Sequence, residues 1–308
     1  IFTFTALFTV AGVDRALDNG MGELLVAAFA LVFALGASQL AVALVNFIAT
    51  QLTSPNILPR MDYRHGVPAD SQAVVVVPSM LFSPADVHSL CEALEVRFLA
   101  NRDPNLRFCL LTDFGDADAE HMPGDDELLA LAREQIEALN QRYAIEQVVQ
   151  EDDEEGPNQE RIEQVHPFML LHRPRRWNPH EGVWMGHERK RGKLADLNAF
   201  LRGGARDRFI LVAGGTGRLY AVRYVITLDT DTLLPRDAAR QFVATMAHPL
   251  NQAQIAPDGS RVVAGYGILQ PRVAVSLPSE AASRYEALCG GEPGIDPYTR
   301  TVSDVYQD

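Results

Sequence analysis

Apolar runs alternate with amphipathic stretches along most of this chain. Continuous runs rich in Val, Leu and Ile are typical of strands covered on both faces, and they predict strands at 73–78, 107–114, 167–173, 224–232 and 262–271. Apolar residues at helical spacing predict helices at 83–101, 125–143, 194–202 and 237–247. Because strands that alternate with helices form parallel sheets, the pattern predicts an α/β domain with a mostly parallel sheet and helices on both faces.

The amino-terminal end has a different composition. Residues 1–54 contain only four charged side chains, and residues 24–49 contain none. A helix of that length is longer than the hydrocarbon core of a bilayer, about 30 Å. We therefore predict a transmembrane helix at 24–50 and interpret residues 1–13 as the end of another, cut by the start of the chain. The alternative is a buried helix in a soluble core.

A polar, proline-containing stretch follows the apolar end, and we interpret residues 51–72 as a linker and residues 73–308 as the α/β domain. The short connection between the two apolar segments carries acidic residues, whereas the first charges after the second segment are Arg60, Asp62 and Arg64. By the positive-inside tendency, this bias predicts that the α/β domain faces the cytoplasm.

Overall charge and local charge differ in sign. The 308 residues carry a formal net charge of −13, which argues against a general nucleic-acid binder. Residues 173–193 reverse this balance with seven basic and two acidic side chains. A basic segment between strands suits an anionic diphosphate. The alternative is a solvated loop paired with the acidic run at 151–155.

Two aspartates end the fourth predicted strand, in the sequence YVITLDTDT. If Asp229 and Asp231 are extended, their side chains point to the same side and their carboxylates converge. Two carboxylates that converge at the end of a buried strand repel one another and attract Mg²⁺ or Mn²⁺, which prefer oxygen ligands and share them with phosphate groups. The alternative is a pair of solvated aspartates in a turn.

These motifs together resemble those of membrane-bound GT-A glycosyltransferases of the cellulose-synthase type. That pattern pairs a K-x-x-x-L-N string, here KLADLN at 193–198, with a later D-x-D and proline, here DTDTLLP at 229–235. Longer strings are similar to the glycosyltransferase domain of bacterial cyclic β-1,2-glucan synthases across nearly all of residues 57–308. Among them are LEVRFLANRDPNL, LLTDFGDA, WMGHERKRGKL and VRYVITLDTDTLLPRDAA.

The resemblance implies a GT-A (Rossmann-like) domain that builds β-1,2-glucan from UDP-glucose by inverting transfer to a growing β-glucan acceptor. It implies a multi-pass protein of the bacterial inner membrane, in contact with the lipid bilayer. It also implies that Asp229 and Asp231 hold the Mg²⁺ or Mn²⁺ ion, with Asp229 also at the donor. The other donor-binding residues carried over from the matched strings are Asp113 near the uridine, Lys193 near the diphosphate, and Glu188, Arg189, Arg191 and Asn198.

Two departures qualify this assignment. The first predicted strand ends in Pro78 and Ser79, without the acidic residue that many GT-A enzymes have there. The family's catalytic base is expected beyond Asp308, so the catalytic residue is unknown and this chain alone is expected to be inactive.

Two other functions fit parts of the pattern. An apolar strand followed by DxDxT is also typical of haloacid-dehalogenase-like phosphatases, which would use Asp229 and Asp231. A non-catalytic, membrane-tethered module that binds a nucleotide or a glycan is the second alternative.

Overall fold

A computed structural model describes residues 1–52, 58–151, 159–204, 206–214 and 219–271. The chain divides into two compact units, 1–58 with 266–308, and 59–265. The helices of the described residues are α1 (Phe2–Asp18), α2 (Glu23–Leu52), α3 (Pro84–Ala100), α4 (Asp125–Tyr143), α5 (Arg189–Leu201) and α6 (Ala238–Ala247). The strands are β1 (Ala73–Leu81), β2 (Leu106–Phe114), β3 (Ile145–Glu151), β4 (Gln159–Val165), β5 (Phe168–Arg173), β6 (Arg176–Asn178), β7 (Val183–Met185), β8 (Ile210–Ala213), β9 (Tyr224–Thr227), β10 (Gln254–Ile255) and β11 (Val262–Ala264).

The first unit contains two helices that pack together. Gly12 of α1 lies so close to the Phe33 ring of α2 that a Cβ atom at this position would overlap the ring. Within the described part of the chain, α2 alone is long and apolar enough to cross a membrane, over Glu23–Val42. Only 17% of that span is buried in the structure, whereas a helix in a soluble core would be mostly covered. One such helix near the amino terminus is weak support for a membrane span by itself.

The second unit is built on a mixed sheet of five strands in the order β8-β5-β2-β1-β9. β9, β1, β2 and β5 are parallel, and β8 pairs antiparallel with β5 at the edge. The chain adds strands on one side of β1 and then returns to place β9 on the other side. The strand order therefore reverses between β1 and β9, and in open α/β sheets ligands bind outside the carboxyl ends of the strands at this point.

Both faces of the sheet are covered, as the continuous apolar runs predict. Val75 and Val77 of β1 belong to a core shared with α3, α4 and α6. Val74 and Val76 point to the other face, where they belong to a second core with Leu197 of α5. The prediction of a Rossmann-like α/β domain with a mostly parallel sheet and helices on both faces is confirmed.

The helices on the first face follow their sequence signals closely. Ser83 caps α3 by accepting a hydrogen bond from the backbone N–H of Asp86, and Pro84 occupies the first helical position. α4 spans the predicted residues 125–143, and α6 begins one residue after the predicted start at Asp237.

Two predicted strands were wrong in their extent. β9 ends at Thr227, and the backbone from Asp229 to Thr232 forms a turn closed by the hydrogen bond from the Thr232 N–H to the Asp229 carbonyl. Only Val262–Ala264 of the predicted fifth strand is a strand, and it pairs antiparallel with β10 outside the main sheet. Neither β10 nor the antiparallel edge strand β8 was predicted.

Three further predictions need correction or fall outside the described residues. α5 begins at Arg189 and not at residue 194, so four of the seven basic residues of the 173–193 segment are helical. Part of the predicted 51–72 linker packs on the second unit: the Met61 N–H donates to the Ala244 carbonyl, and Val67 is buried in the core. Most of the acidic run at 151–155 lies outside the described residues, between strands β3 and β4, an antiparallel pair that the sequence analysis missed.

A histidine is buried inside the sheet near the carboxyl ends of its strands. His172 of β5 is paired in register with Thr112 of β2; its Nδ1 lies 3.0 Å from the Thr112 Oγ1, and its ring packs on Phe114. Burial, reinforced by the nearby Lys193 and Arg175 cations, lowers the pKa of His172 from 6.5 to about 4. Between these values the unfolded chain binds a proton that the folded chain does not, so this residue makes the fold less stable as the pH falls from 6.5 towards 4.

We predict that His172→Phe reduces the acid sensitivity of the second unit. The pKa difference corresponds to about 3 kcal/mol of unfolding free energy that the parent loses between pH 7 and pH 4 and the variant retains. The measurement is urea unfolding in detergent at several pH values, followed by the fluorescence of Trp177 and Trp184, which lie in β6 and β7 of this unit. His88→Gln on the exposed face of α3 is the control. Equal pH slopes for parent and His172→Phe would show that the prediction is wrong.

Candidate active site

A cavity of about 470 Å³ lies at the carboxyl edge of the sheet where the strand order reverses. We call it the switch-point cavity. It is lined by Pro78, Ser79, Met80, Phe82, Asp86, Ser89, Leu90, Asp113, Arg189, Lys190, Lys193 and Thr230. These residues come from β1, β2, α3, the first turns of α5 and the loop after β9. The basic segment and the D-x-D loop, which are far apart in sequence, therefore meet at one cavity.

A buried ion-pair cluster forms the floor of this region. Asp113 accepts a hydrogen bond from Lys193 Nζ at 2.7 Å and from Arg173 Nη2 at 3.0 Å, and all three side chains are at most 4% exposed. Lys193 also donates to the Ser79 carbonyl at 2.5 Å. Burial lowers the pKa of Lys193 from its ordinary value, while the Asp113 carboxylate opposes that change. The structure thus brings two predicted donor-binding residues together, but mainly into contact with one another.

The segment before α5 has an unusual backbone that the same cluster stabilises. Glu188 and Arg189 both have positive φ angles, 54° and 45°, which are costly for residues with a Cβ atom. Arg173 donates to the carbonyls on either side of this turn, of His187 at 3.0 Å and of Arg189 at 3.1 Å. A Cβ atom on Gly186 would overlap the Asp113 carboxylate. The string WMGHERKRGKL therefore runs from the end of β7 through a turn that Arg173 holds into the first turns of α5.

The remaining basic residues separate into those that face the cavity and those that do not. Arg189 pairs with Asp116 at 2.6 Å, and Lys190 pairs with Asp229; both cations are more than half exposed and line the switch-point cavity. Arg191 pairs with Glu188, and Asn198 lies on the exposed surface of α5. None of these last three residues is among those that line the cavity. Their predicted role in donor binding stays a prediction.

The D-x-D loop does not have the geometry that the sequence analysis assumed. Because β9 ends at Thr227, Asp229 and Asp231 lie in a turn, and the alternation of side chains along a strand does not apply to them. Both residues are exposed, so they are open to a ligand. The side chain of Arg97 in α3 donates hydrogen bonds to backbone carbonyls of this turn. Arg97 was not predicted as a site residue.

The donor set of this loop fits a divalent cation that is shared with a ligand. Two carboxylates at an exposed edge suit Mg²⁺ or Mn²⁺, which take few protein ligands and complete their shell with water and phosphate oxygens. Asp229 already binds one cation, the Lys190 ammonium. Among the described residues, no cluster of three or more His, Cys, Asp or Glu side chains could form a complete protein cage. Asp229 and Asp231 would therefore hold the ion only together with other oxygen donors.

One buried polar atom in the switch-point cavity has no hydrogen-bond partner in the described structure. This atom is the Ser79 Oγ, on a residue that is 8% exposed and next to the cavity cations. A buried hydroxyl without a partner costs free energy, and a polar ligand in the cavity would supply the partner. The strand end that lacks the expected acidic residue therefore offers a hydroxyl instead.

A second cavity, of about 880 Å³, lies beside the first along the same edge and shares Phe82 with it. The loop from Gly115 to Asp125 forms much of its wall. Arg175 fixes this loop by donating to the Gly115 carbonyl at 2.6 Å and to Asp125 at 2.5 Å. Although this cavity is larger, the switch-point cavity is the better candidate site because both the exposed cations and the D-x-D loop border it.

The fold and the site define a Rossmann-like α/β domain with exposed cations and exposed carboxylates at one edge of its sheet. No protein-family model matches the chain. The chain is 38% identical over 309 aligned residues to the cyclic beta-(1,2)-glucan synthase NdvB of Rhizobium meliloti (strain 1021). The resemblance stated from the sequence is confirmed at the level of a glucan synthase-related domain. The alignment covers 100% of the chain and 10% of the relative, so the chain spans about one tenth of that protein's length.

We predict that the buried cluster contributes strongly to stability. Asp113→Asn leaves Lys193 without its buried counter-ion and should lower the free energy of unfolding by about 3–5 kcal/mol. Adding Lys193→Met should restore part of this loss, because Arg173 keeps its pair with Asp196 at 3.1 Å. The measurement is urea unfolding, with Asp62→Asn in an exposed pair with Arg64 as the control. An Asp113→Asn variant as stable as the parent would contradict this account.

Proposed function

We propose that this domain transfers glucose from UDP-glucose to the 2-hydroxyl of a growing β-glucan, with inversion at the anomeric carbon. The observation that carries the proposal is the meeting of three lysine and arginine side chains with the D-x-D loop at the switch-point cavity, namely Arg189, Lys190 and Lys193. Supporting it is the identity of 38% along the whole chain to a cyclic β-(1,2)-glucan synthase.

In this proposal the donor diphosphate occupies the switch-point cavity. Arg189 and Lys190 are exposed cations on its wall and can leave Asp116 and Asp229 for phosphate oxygens at little cost, because exposed ion pairs contribute little free energy. The Ser79 hydroxyl provides a further polar contact. Asp113 acts on the donor through Lys193, whose charge it balances. A direct contact of Asp113 with the uridine stays a prediction.

The reaction breaks the bond between the anomeric carbon and the UDP oxygen and forms a bond to the acceptor oxygen. Negative charge grows on the departing UDP, and cations placed at the diphosphate stabilise it. An Mg²⁺ or Mn²⁺ ion held by Asp229 and Asp231, when bound, would supply Lewis-acid stabilisation of the same charge. The proton of the acceptor hydroxyl passes to a base, which the resemblance predicts beyond Asp308.

We predict that UDP binds the chain in a metal-dependent way. Titration of the detergent-solubilised chain with UDP, by calorimetry, should give binding in the presence of Mn²⁺ that is at least about tenfold weaker without it. Asp229→Ala and Asp231→Ala should each remove the metal-dependent part, because only two carboxylates hold the ion.

The control is Asp207→Ala, which removes an exposed carboxylate paired with Arg176 away from the cavity. Equal UDP binding with and without Mn²⁺ would overturn the metal-dependent glycosyltransferase and leave a nucleotide-binding module as the better account. A covalent beryllofluoride adduct on Asp229 without UDP binding would instead favour the phosphatase.

We also propose that α2 spans a lipid bilayer, with the second unit in the cytoplasm. The apolar side chains that α2 exposes, including Leu31 and Leu35, support this. We predict that the chain stays in the membrane fraction after alkaline carbonate extraction and that the double variant Leu31→Arg and Leu35→Arg does not, since each buried charge costs several kcal/mol in a bilayer. Leu250→Arg, at an exposed apolar residue of the second unit, is the control. Retention of the double variant would argue against a span.

A further inference from the structure

A buried arginine lies under the D-x-D loop. Arg97 comes from the last turn of α3 and is 2% exposed. Its Nε and Nη2 atoms donate to the Thr232 carbonyl at 3.0 and 2.8 Å, and Nη2 also lies 2.7 Å from the Thr230 carbonyl and 3.2 Å from the Asp229 carbonyl. One guanidinium group therefore contacts three backbone carbonyls of a single turn.

These contacts matter because, within the described residues, few other backbone hydrogen bonds hold the loop. The last ladder bond of β9 runs from the Leu228 N–H to the Val76 carbonyl, and within the turn the Thr232 N–H donates to the Asp229 carbonyl. A buried guanidinium is costly unless its donors are satisfied, and five donors in a rigid fork can satisfy several carbonyls at once. The position of the loop and the burial of Arg97 therefore depend on one another.

A second residue one helical turn later extends the same contact. Asn101 Nδ2 lies 3.1 Å from the Pro235 carbonyl, and its Oδ1 accepts a hydrogen bond from the Ala239 N–H at 3.0 Å. Asn101 directly follows the last residue of α3, and its Nδ2 also lies 3.1 Å from the Arg97 carbonyl. Arg97 and Asn101 together hold the chain from the D-x-D loop to the start of α6.

The charge of Arg97 also interacts with the Asp231 carboxylate of the loop. Burial lowers the pKa of Arg97, and the Asp231 carboxylate opposes that change through its negative charge. Among the described contacts, the hydrogen bonds of the guanidinium to the loop all go to backbone carbonyls. The Asp229 and Asp231 carboxylates thus stay exposed to solvent while their backbone is held.

We propose that Arg97 is a positioning residue that fixes the D-x-D loop so that Asp229 and Asp231 can hold a cation together with a diphosphate. This inference rests on the proposed function. Arg97 is not a catalytic residue, since it lies beneath the loop and contacts its backbone. Its effect on ligand binding passes through the two aspartates.

The test compares Arg97→Lys and Arg97→Met with Arg102→Met in the full chain. Arg102 is an exposed arginine just after α3 that packs over Phe98 and Tyr143, so its variant makes the same change of charge outside the loop. Calorimetric titration with UDP at fixed Mn²⁺ should show binding about tenfold weaker in Arg97→Lys, whose single ammonium cannot reach all three carbonyls. UDP binding should be weaker still in Arg97→Met and equal to that of the parent in Arg102→Met.

Two readouts separate positioning from a general loss of structure. Metal-free UDP binding, which depends on Arg189 and Lys190, should be unchanged in Arg97→Lys. Hydrogen–deuterium exchange should accelerate in peptides that cover residues 228–236 and stay as in the parent for β1 and β2. If Arg97→Met does not fold, Arg97→Lys carries the same comparison.

The outcomes distinguish this inference from the proposed function. Metal-dependent UDP binding that is abolished by Asp229→Ala but equal in the parent and in Arg97→Lys would overturn the role of Arg97 alone. Absence of metal-dependent UDP binding in the parent would overturn the proposed function, and the role of Arg97 with it. Equal exchange of the loop in all variants would show that Arg97 does not hold it.

Discussion

Buried guanidinium groups that bind backbone carbonyls are the interaction on which this edge of the domain depends. Where parallel strands end, the following loops leave the hydrogen-bond ladder, and their carbonyls need new donors. Arg97 supplies them to the loop after β9, Arg173 to the turn before α5, and Arg175 to the loop after β2. Arg97 lies in α3, Arg173 is the last residue of β5, and Arg175 lies between β5 and β6. Charged side chains thereby hold these three loops, and the loop after β2 is also bridged to β7 through Ala117 and Trp184.

Such an arrangement requires nearby negative charge. Asp113 balances Arg173 and Lys193, and Asp125 balances Arg175, with all of these pairs largely removed from solvent. Burial raises the pKa of Asp125, but the hydrogen bond and charge of Arg175 outweigh it, so the net direction is downward. Removal of one partner from such a pair leaves a buried charge, which is far more costly than the loss of an exposed pair. Exposed ion pairs contribute little free energy, so they can exchange partners at little cost. The basic segment thus contains buried cations, Arg173, Arg175 and Lys193, and exposed cations, of which Arg189 and Lys190 line the switch-point cavity.

The sequence predicted those parts of the fold that depend on local pattern. β1, β2 and β5 are buried on both faces and read as continuous apolar runs, and α3 has its own cap at Ser83. The predicted strand at 262–271 was wrong in extent because a strand needs a neighbour, and a sequence pattern does not show that these residues lie outside the main sheet.

The start of α5 was predicted too late in the chain because Glu188 gives no side-chain cap and Gly192 lies inside the helix. Its start depends on Arg173, which is distant in sequence. Arg97 occurs in the string LEVRFLANRDPNL, but its pattern is that of a helix and gives no sign of the loop beneath which it packs.

The predicted metal pair, Asp229 and Asp231, was argued from a geometry that the structure does not have. Alternation along a strand was the reason to expect converging carboxylates, yet β9 ends before Asp229. In a turn, the direction of each side chain depends on the local backbone, and here that backbone depends on Arg97. A rigid support under the turn reduces the entropy that ordering the aspartates would cost when a ligand binds. The Lys190 ammonium pairs with Asp229 and balances the charge of its carboxylate. The proposed binding of an anion and its counter-ion at this loop therefore depends on α3 and α5 as well as on the D-x-D sequence itself.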